Sequence, residues 1–430
     1  MMRAMNSNLA LLICVGCYIL HYNNAKKQIL VFKDASFFFN RTGRKSFLLF
    51  NLFRDYLLKQ GVQENHLIQV NLEDRRNKRL RNPDLLLQYI DSCMSDEKTY
   101  FIMLDEIQLV PEFEDVLNSY LSIPNAEVYV TGSNARFLSK DVITEFRGRG
   151  WEIRIHPLSF SEYYEVAGGE LSAALEEYYL YGGLPAVHKF NTPIEKQNYL
   201  REIYETVYLK DVIEHNHLRS NDGLRELLRI LASGMGSSTN VKRIANTFKS
   251  EAGIDIGPNT IARYLAHLQD AFFINEALRY DVKGRKYIGT ETKYYFEDVG
   301  IRNAVLDFRQ TEFNHTMENV IYNELRRLRY SVDVGRVETF RQGDDGKNVR
   351  SNLEIDFVVN RHDDRLYIQS AFSLPDREKE KQEEASLMQV NDGFRKVIIV
   401  GDRYHSGYNQ DGIFLLNIYD FLLHRGTWQM

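Results

Sequence analysis

Tyr100-Phe101-Ile102-Met103-Leu104-Asp105-Glu106 is an apolar run closed by two adjacent acids. A run of this length with no polar alternation fits a strand buried on both faces, as in a parallel sheet crossed by helices. Working outward, similar short runs stand at Gln28 to Phe32, His66 to Leu72 and Glu127 to Thr131. Between the first two, Leu48, Leu49, Leu52, Phe53 and Tyr56 recur at helical spacing and would lay one face on that sheet. Strand and helix signals alternating in this way predict an α/β domain. The basic tract Asp74 to Arg81 has no apolar period and reads as a solvated loop.

The two acids give the strand tip a chemistry. An Asp at the carboxyl end of a buried strand can hold the Mg²⁺ that bridges nucleotide phosphates, and a Glu after it can polarise an attacking water. Asp105 and Glu106 are read as such a Walker B pair; the plainer alternative is a buried strand that surfaces in a polar loop. A second apolar strand, Val128-Tyr129-Val130, ends in Thr131-Gly132-Ser133-Asn134. Ser133 and Asn134 are candidates to touch phosphate or water, or else they form an ordinary turn with an Asn cap.

A phosphate loop wants Gly-x-x-x-x-Gly-Lys-Ser/Thr, because glycines let backbone N–H groups wrap the phosphates and the lysine reaches the outer oxygens. Here the stretch is Phe39-Asn40-Arg41-Thr42-Gly43-Arg44-Lys45-Ser46. Lys45 and Ser46 stand correctly before a helix, but Phe39 and Arg44 occupy the glycine positions. The other alignment takes Thr42, Gly43, Lys45 and Ser46 as the motif, with Arg44 inserted. A side chain at either point crowds the cradle, so retained and lost nucleotide binding both stay open.

At 430 residues the chain exceeds what one hydrophobic core usually serves. With 44% hydrophobic and 26% charged residues it is neither disordered nor fibrous. A formal net charge of -5 gives no bulk argument for nucleic acid, so any such partner needs a local basic face. Cys14, Cys17 and Cys93 cannot build a disulfide framework, and a reducing, cytoplasmic setting is expected. The apolar run Leu9 to Leu20 is too short to span a bilayer comfortably and lacks a cleavage motif before His21. It is read as a buried or irregular segment that carries two apolar cysteines.

Past residue 160 the pattern changes to long helices, such as Leu171 to Tyr181 and Lys196 to His215. Three helical patterns follow, with core candidates Leu227, Ile230 and Leu231, then Ile244 and Phe248, then Ile261, Leu265 and Leu268. A turn around Lys283-Gly284-Arg285-Lys286 completes what looks like a winged helix. Arg263 and His267, with Lys283, Arg285 and Lys286, could then meet phosphates, or simply form a solvated face. The last segment reads helix, three strands, helix, strand, the order of a restriction-nuclease-like fold. A metal-dependent nuclease needs Asp, then Glu/Gln-x-Lys on the next strand. Asp356 and Gln369 match, Glu318 or Glu324 is available from the helix, but position 371 is Ala. A binding role is expected there rather than cleavage.

Taken together, Lys45-Ser46-Phe47-Leu48-Leu49-Phe50, Leu104-Asp105-Glu106-Ile107-Gln108 and Val130-Thr131-Gly132-Ser133-Asn134 resemble a known family. So do Gly148-Arg149, Pro157-Leu158-Ser159-Phe160-Ser161-Glu162, Tyr181-Gly182-Gly183-Leu184-Pro185, Glu297-Asp298-Val299-Gly300 and Glu354-Ile355-Asp356-Phe357-Val358. It is that of the AAA-type P-loop ATPases of bacteria and archaea that carry a C-terminal domain of unknown function. The resemblance implies ATP and Mg²⁺ as ligands: Gly43, Lys45, Ser46, Asp105 and Ser133 bind, Ser46 and Asp105 reach the metal, and Glu106 and Asn134 serve hydrolysis. It makes Arg149 an arginine finger acting on a neighbouring copy, hence a homo-oligomer. Three domains are expected: an AAA-type domain at 1–165, a helical and winged-helix region at 166–304, and a nuclease-like domain at 305–430. The expected activity is ATP hydrolysis coupled to a C-terminal binding domain. The competing expectation is a degenerate ATPase that binds DNA or a protein without turnover.

Overall fold

Strands with no polar interior need cover on both faces, and the first part of the chain supplies it. The computed structural model describes the backbone of residues 29–34, 47–132, 150–209, 213, 222–253, 256–309, 312–342, 348–362, 364–401 and 405–425. The chain divides into two units, 1–156 and 157–430. In the first, β1 (Ile29–Asp34), β2 (Leu67–Asn71), β3 (Tyr100–Asp105), β4 (Ala126–Gly132) and β5 (Gly150–Ile155) pair in parallel in the order β2-β3-β4-β1-β5. A wide helical turn, Leu48–Phe53, runs into α1 (Arg54–Lys59); α2 (Pro83–Cys93) and α3 (Phe113–Tyr120) follow.

Alternation along β3 decides which helix covers which face. Ile102 and Leu104 pack with Leu86 and Ile90 of α2 and with Val116 and Leu117 of α3. Met103 points the other way, into Leu48, Leu49, Phe53 and Leu57. Each such side chain contributes about 1.5–3 kcal/mol by leaving water. The wide turn rotates the helical face, so Leu57 is buried whereas Leu52 and Tyr56 are half-buried. The basic tract is not a plain loop: Asp74 accepts the Arg76 N–H at 2.9 Å and starts a short 3₁₀ helix, Arg75–Arg81. The edge strand β5 had no counterpart in the expected strand set.

The second unit opens with α4 (Phe160–Ala167), α5 (Leu171–Tyr181) and α6 (Pro193–Ile203). Ser159 with Glu162, and Thr192 with Glu195, form reciprocal caps at the starts of α4 and α6. The helix expected over Lys196 to His215 is α-helical to Ile203 and continues as a wider helical coil at Tyr204–Leu209; of residues 210–215 only Ile213 is described, and it is helical. Then come α7 (Asp222–Ser233), α8 (Val241–Thr247) and α9 (Pro258–Asp270). Their buried residues include Leu227, Leu231, Ile244, Phe248, Ile261, Leu265 and Leu268 as expected; Leu228 is buried where Ile230 is only half-buried.

β6 (Ile274–Asp281) and β7 (Lys286–Phe296) form the expected hairpin. After α10 (Val299–Val305) and α11 (Phe313–Arg327) come β8 (Ser331–Gln342), β9 (Asn348–Arg361), β10 (Asp364–Ala371), α12 (Arg377–Leu387), β11 (Arg395–Val400), β12 (Gly407–Tyr408), β13 (Phe414–Asn417) and α13 (Ile418–Leu422). β6 pairs in parallel with β8, so one eight-stranded sheet, β12-β13-β11-β10-β9-β8-β6-β7, runs across residue 304.

Two of the quoted motifs meet in this unit. Asp298 caps α10 by accepting the Ile301 N–H at 3.0 Å, and it also accepts the Gly183 N–H at 2.7 Å. Burial pushes the Asp298 carboxyl up to about 7, against the backbone N–H bonds that favour its charge. The fold therefore prefers the protonated acid. Its contribution is complete below the ordinary carboxylate range, near 3.8, and is lost as pH rises through about 7. An Asp298→Asn protein should accordingly lose the part of the slope that Asp298 causes, roughly 1.4 kcal/mol per pH unit within that window. Urea midpoints of both proteins at pH 5 and pH 8 measure this; parallel pH profiles would show that Asp298 does not titrate in the fold. Among the described residues no helix is long and apolar enough to cross a membrane; Leu9 to Leu20 lies outside them.

Candidate functional site

Parallel strands that end level bring their last residues side by side. Leu104 is in register with Val130, so Asp105 and Thr131 follow as neighbours at the carboxyl ends of β3 and β4. Both are buried, and the Thr131 hydroxyl donates to Asp105 Oδ1. The same Thr131 Oγ1 accepts the Glu106 backbone N–H at 3.2 Å. Glu106 sits in the left-handed region, φ 57° and ψ 47°, which a non-glycine residue adopts only when its surroundings hold it. The Gln108 side-chain amide donates to Glu106 Oε2. One hydroxyl thus fixes a metal-binding type of carboxylate and the backbone of the acid after it. Thr131 was not among the expected site residues; strand register would have found it, because it follows Val130 on β4 as Asp105 follows Leu104 on β3.

β4 lies between β3 and β1, so the chain leaving β1 starts two strand spacings, about 10 Å, from Asp105. That chain, residues 35–46, contains Gly43, Lys45 and Ser46. In open α/β sheets ligands sit outside the carboxyl ends of the strands, where chain connections diverge. Here β1 leads back over β4 and β3 to β2, whereas β4 leads over β1 to β5. Gly43, Lys45, Ser46, Ser133, Asn134 and Arg149 lie outside the described residues. So do Cys14 and Cys17.

A second polar group lies in the other unit. Glu318 of α11 and Asp356 of β9 are buried, and both face Lys293 of β7, which is 3% exposed. Lys293 Nζ is 3.0 Å from Glu318 Oε1, 2.7 Å from Glu354 Oε1 and 3.9 Å from Asp356 Oδ1. The Ser370 N–H donates to Asp356 Oδ2 at 2.8 Å, and Gln369 Oε1 accepts the Asp356 N–H at 3.4 Å. Burial first, and Glu318 second, push the Asp356 carboxyl up to about 8 while Lys293 opposes them. Of the two helix acids only Glu318 joins this group; Glu324 is held instead by Arg327 at 2.6 Å and His424 at 3.0 Å. Lys293 was not foreseen, since nothing local shows that the hairpin joins the far sheet.

The basic candidates lie on two elements. Arg263 is exposed on α9, His267 is half-buried, and Lys283, Arg285 and Lys286 are exposed at the hairpin tip. Lys283 Nζ donates to the Glu338 carbonyl at 2.8 Å, which turns it toward β8.

Residues 40–164 match a family model described as an AAA domain, and residues 172–312 match one described as a domain of unknown function (DUF8612). Over 412 residues the chain is 32% identical to an uncharacterized protein of Haemophilus influenzae, covering 93% of this chain and 98% of that one. An uncharacterized protein of Methanocaldococcus jannaschii is 27% identical, over 82% of this chain and 77% of its own length. Among solved structures, the Aeropyrum pernix ORC2 protein is similar at 13% identity with a TM-score of 0.33, over 70% of this chain and 92% of that one.

Proposed function

We infer that this chain, which belongs to the family of the Haemophilus influenzae protein and is an ATP-binding, AAA-type protein with a further domain of unknown function, hydrolyses ATP at the carboxyl ends of β3, β4 and β1. The observation that carries this reading is the buried Thr131–Asp105 pair at the end of β3, followed by a Glu106 whose backbone is pinned. In it, Asp105 and Ser46 hold Mg²⁺, and Gly43, Lys45 and Ser133 bind the phosphates. A carboxylate whose orientation is fixed, on the strand next to the point where the β4 and β1 connections diverge, fits that metal. Bound Mg²⁺ supplies neutralisation of charge on the phosphates. Glu106 takes the proton of the attacking water, Asn134 orients that water, and Arg149 reaches a neighbour's site in a homo-oligomer. Hydrolysis needs the nucleotide of the cytoplasm, which is where we place the protein. Release of phosphate from ATP, dependent on Mg²⁺, tests the reading; its absence in folded protein would contradict it.

Thr131 serves this site as a positioning residue. We expect Thr131→Val to lower kcat about tenfold, the worth of one orienting hydrogen bond near 1.4 kcal/mol, with KM for ATP little changed. Thr131→Ser should restore most of the rate. An unchanged kcat in the Val protein would remove Thr131 from the account.

The second reading is a degenerate ATPase whose second unit, a winged helix followed by a nuclease-like fold, binds DNA. The exposed basic tip of the β6–β7 hairpin favours it. It predicts duplex binding that weakens steeply with salt, and a smaller salt slope after Arg285→Ala with Lys286→Ala. Equal slopes for both proteins would count against a hairpin contact.

A further inference from the structure

The reading of residues 305–430 as nuclease-like implies a divalent cation shared by Asp356 and an acid of α11, with Gln369 beside it. The residues present do not fit one. Mg²⁺ needs oxygen ligands at about 2.0–2.1 Å in near-octahedral array, with room for water and phosphate. The point shared by Glu318, Glu354 and Asp356 is instead taken by the Lys293 ammonium, 3.0, 2.7 and 3.9 Å from their oxygens. Among the described residues no group of three or more acidic, His or Cys side chains is arranged to hold a metal ion.

We propose that Lys293 is the built-in cation of this centre, a side-chain charge standing where a metal would sit, so that this centre takes no divalent metal. Strand geometry delivers the lysine. Alternation puts Lys293 and Tyr295 on the same face of β7, and the Tyr295 hydroxyl donates to the same Glu318 Oε1 at 2.7 Å. The carboxylates are otherwise engaged as well: Asp356 Oδ2 accepts the Ser370 N–H, and Glu354 Oε2 lies 3.6 Å from Arg279. Position 371, where a nuclease-like strand would carry its lysine, is a buried Ala. The charge is thus absent from β10 and present on β7, three strands beyond β9 in the sheet's edge hairpin. Burial alone would lower the Lys293 pKa, yet Glu318, Asp356 and Glu354 hold it above the ordinary lysine value.

The test titrates Mn²⁺ alone into nucleotide-free, full-length protein and follows free Mn²⁺ by its EPR signal. The proteins are the wild type, Asp356→Asn, Lys293→Met, and Lys293→Met with Asp356→Asn. We expect Lys293→Met to take up one more Mn²⁺ than the wild type, at least tenfold more tightly than any weak site of the parent, and the double variant to lose it. Should Lys293→Met not fold without metal, Lys293→Met with Glu354→Gln removes one charge of each sign, keeps Glu318 and Asp356, and should show the same gain. Two results would overturn the proposal. One is no gain in either folded variant. The other is Mn²⁺ uptake by the wild type that Asp356→Asn abolishes, which would make Lys293 a partner of the metal and not its replacement.

Discussion

A Glu106→Gln protein is expected to hydrolyse ATP about 10²–10⁴-fold more slowly than the wild type while still binding MgATP. The size follows from the role. A positioned carboxylate that takes a proton from water contributes that much, and an amide of the same shape cannot do it. Binding should survive because Glu106 lies beyond the residues proposed to hold phosphate and metal, and because its backbone N–H, bonded to Thr131, is untouched. Steady-state phosphate release and a MgATP titration on the same preparation separate the two effects. Turnover that persists in the Gln protein would leave Glu106 as a turn residue whose left-handed backbone has a structural cause.

The largest stability effect is expected at Gly300. A Cβ there would stand 2.1 Å from the Tyr181 carbonyl oxygen and 2.3 Å from its carbon, which is backbone and cannot swing away. Gly183 is similar, 2.2 Å from the Leu158 carbonyl oxygen. The Gly300 contact brings the start of α10 against the end of α5, where Asn303 Nδ2 also donates to the Tyr179 and Leu180 carbonyls at 2.9 and 3.0 Å. Gly300→Ala must therefore push two chain segments apart and loosen the Asp298 bonds that hold them. We expect a loss of about 3 kcal/mol or more, beyond the usual range for a single added methyl group. Urea unfolding of the two proteins measures it. A loss under about 1 kcal/mol would mean that this junction is not the close-packed joint described above.

That junction shows which parts of the molecule were legible in the sequence. Tyr181-Gly182-Gly183 and Glu297-Asp298-Val299-Gly300 stood out as motifs, but only the folded contacts explain why glycine is needed: Gly182 and Gly300 are crowded by the other motif, and Gly183 by Leu158. The strands ending at Asp105 and Thr131 could be read because each is an unbroken apolar run, and periodicity needs no partner to be visible. β5 was missed although Trp151-Glu152-Ile153-Arg154-Ile155 alternates. β5 is an edge strand, paired on one side only, and its charged residues interrupt the apolar run that marks a central strand. At the candidate site the acids were legible, being local, and Thr131 was not, since its role depends on register between strands. Lys293 depended on more: β6 must pair in parallel with β8 before the hairpin can deliver a lysine to Glu318 and Asp356. No local pattern encodes a pairing across so long a stretch of chain.

The proposed hydrolysis requires one triphosphate held between the loop after β1 and the tip of β3. Calorimetric titration of MgATP into the wild type, Lys45→Ala and Asp105→Asn tests it most directly. The prediction is one site per chain in the wild type, with affinity lost in Lys45→Ala and reduced at least tenfold in Asp105→Asn. A folded wild-type protein that takes up no MgATP, or one whose binding is indifferent to both substitutions, would contradict it.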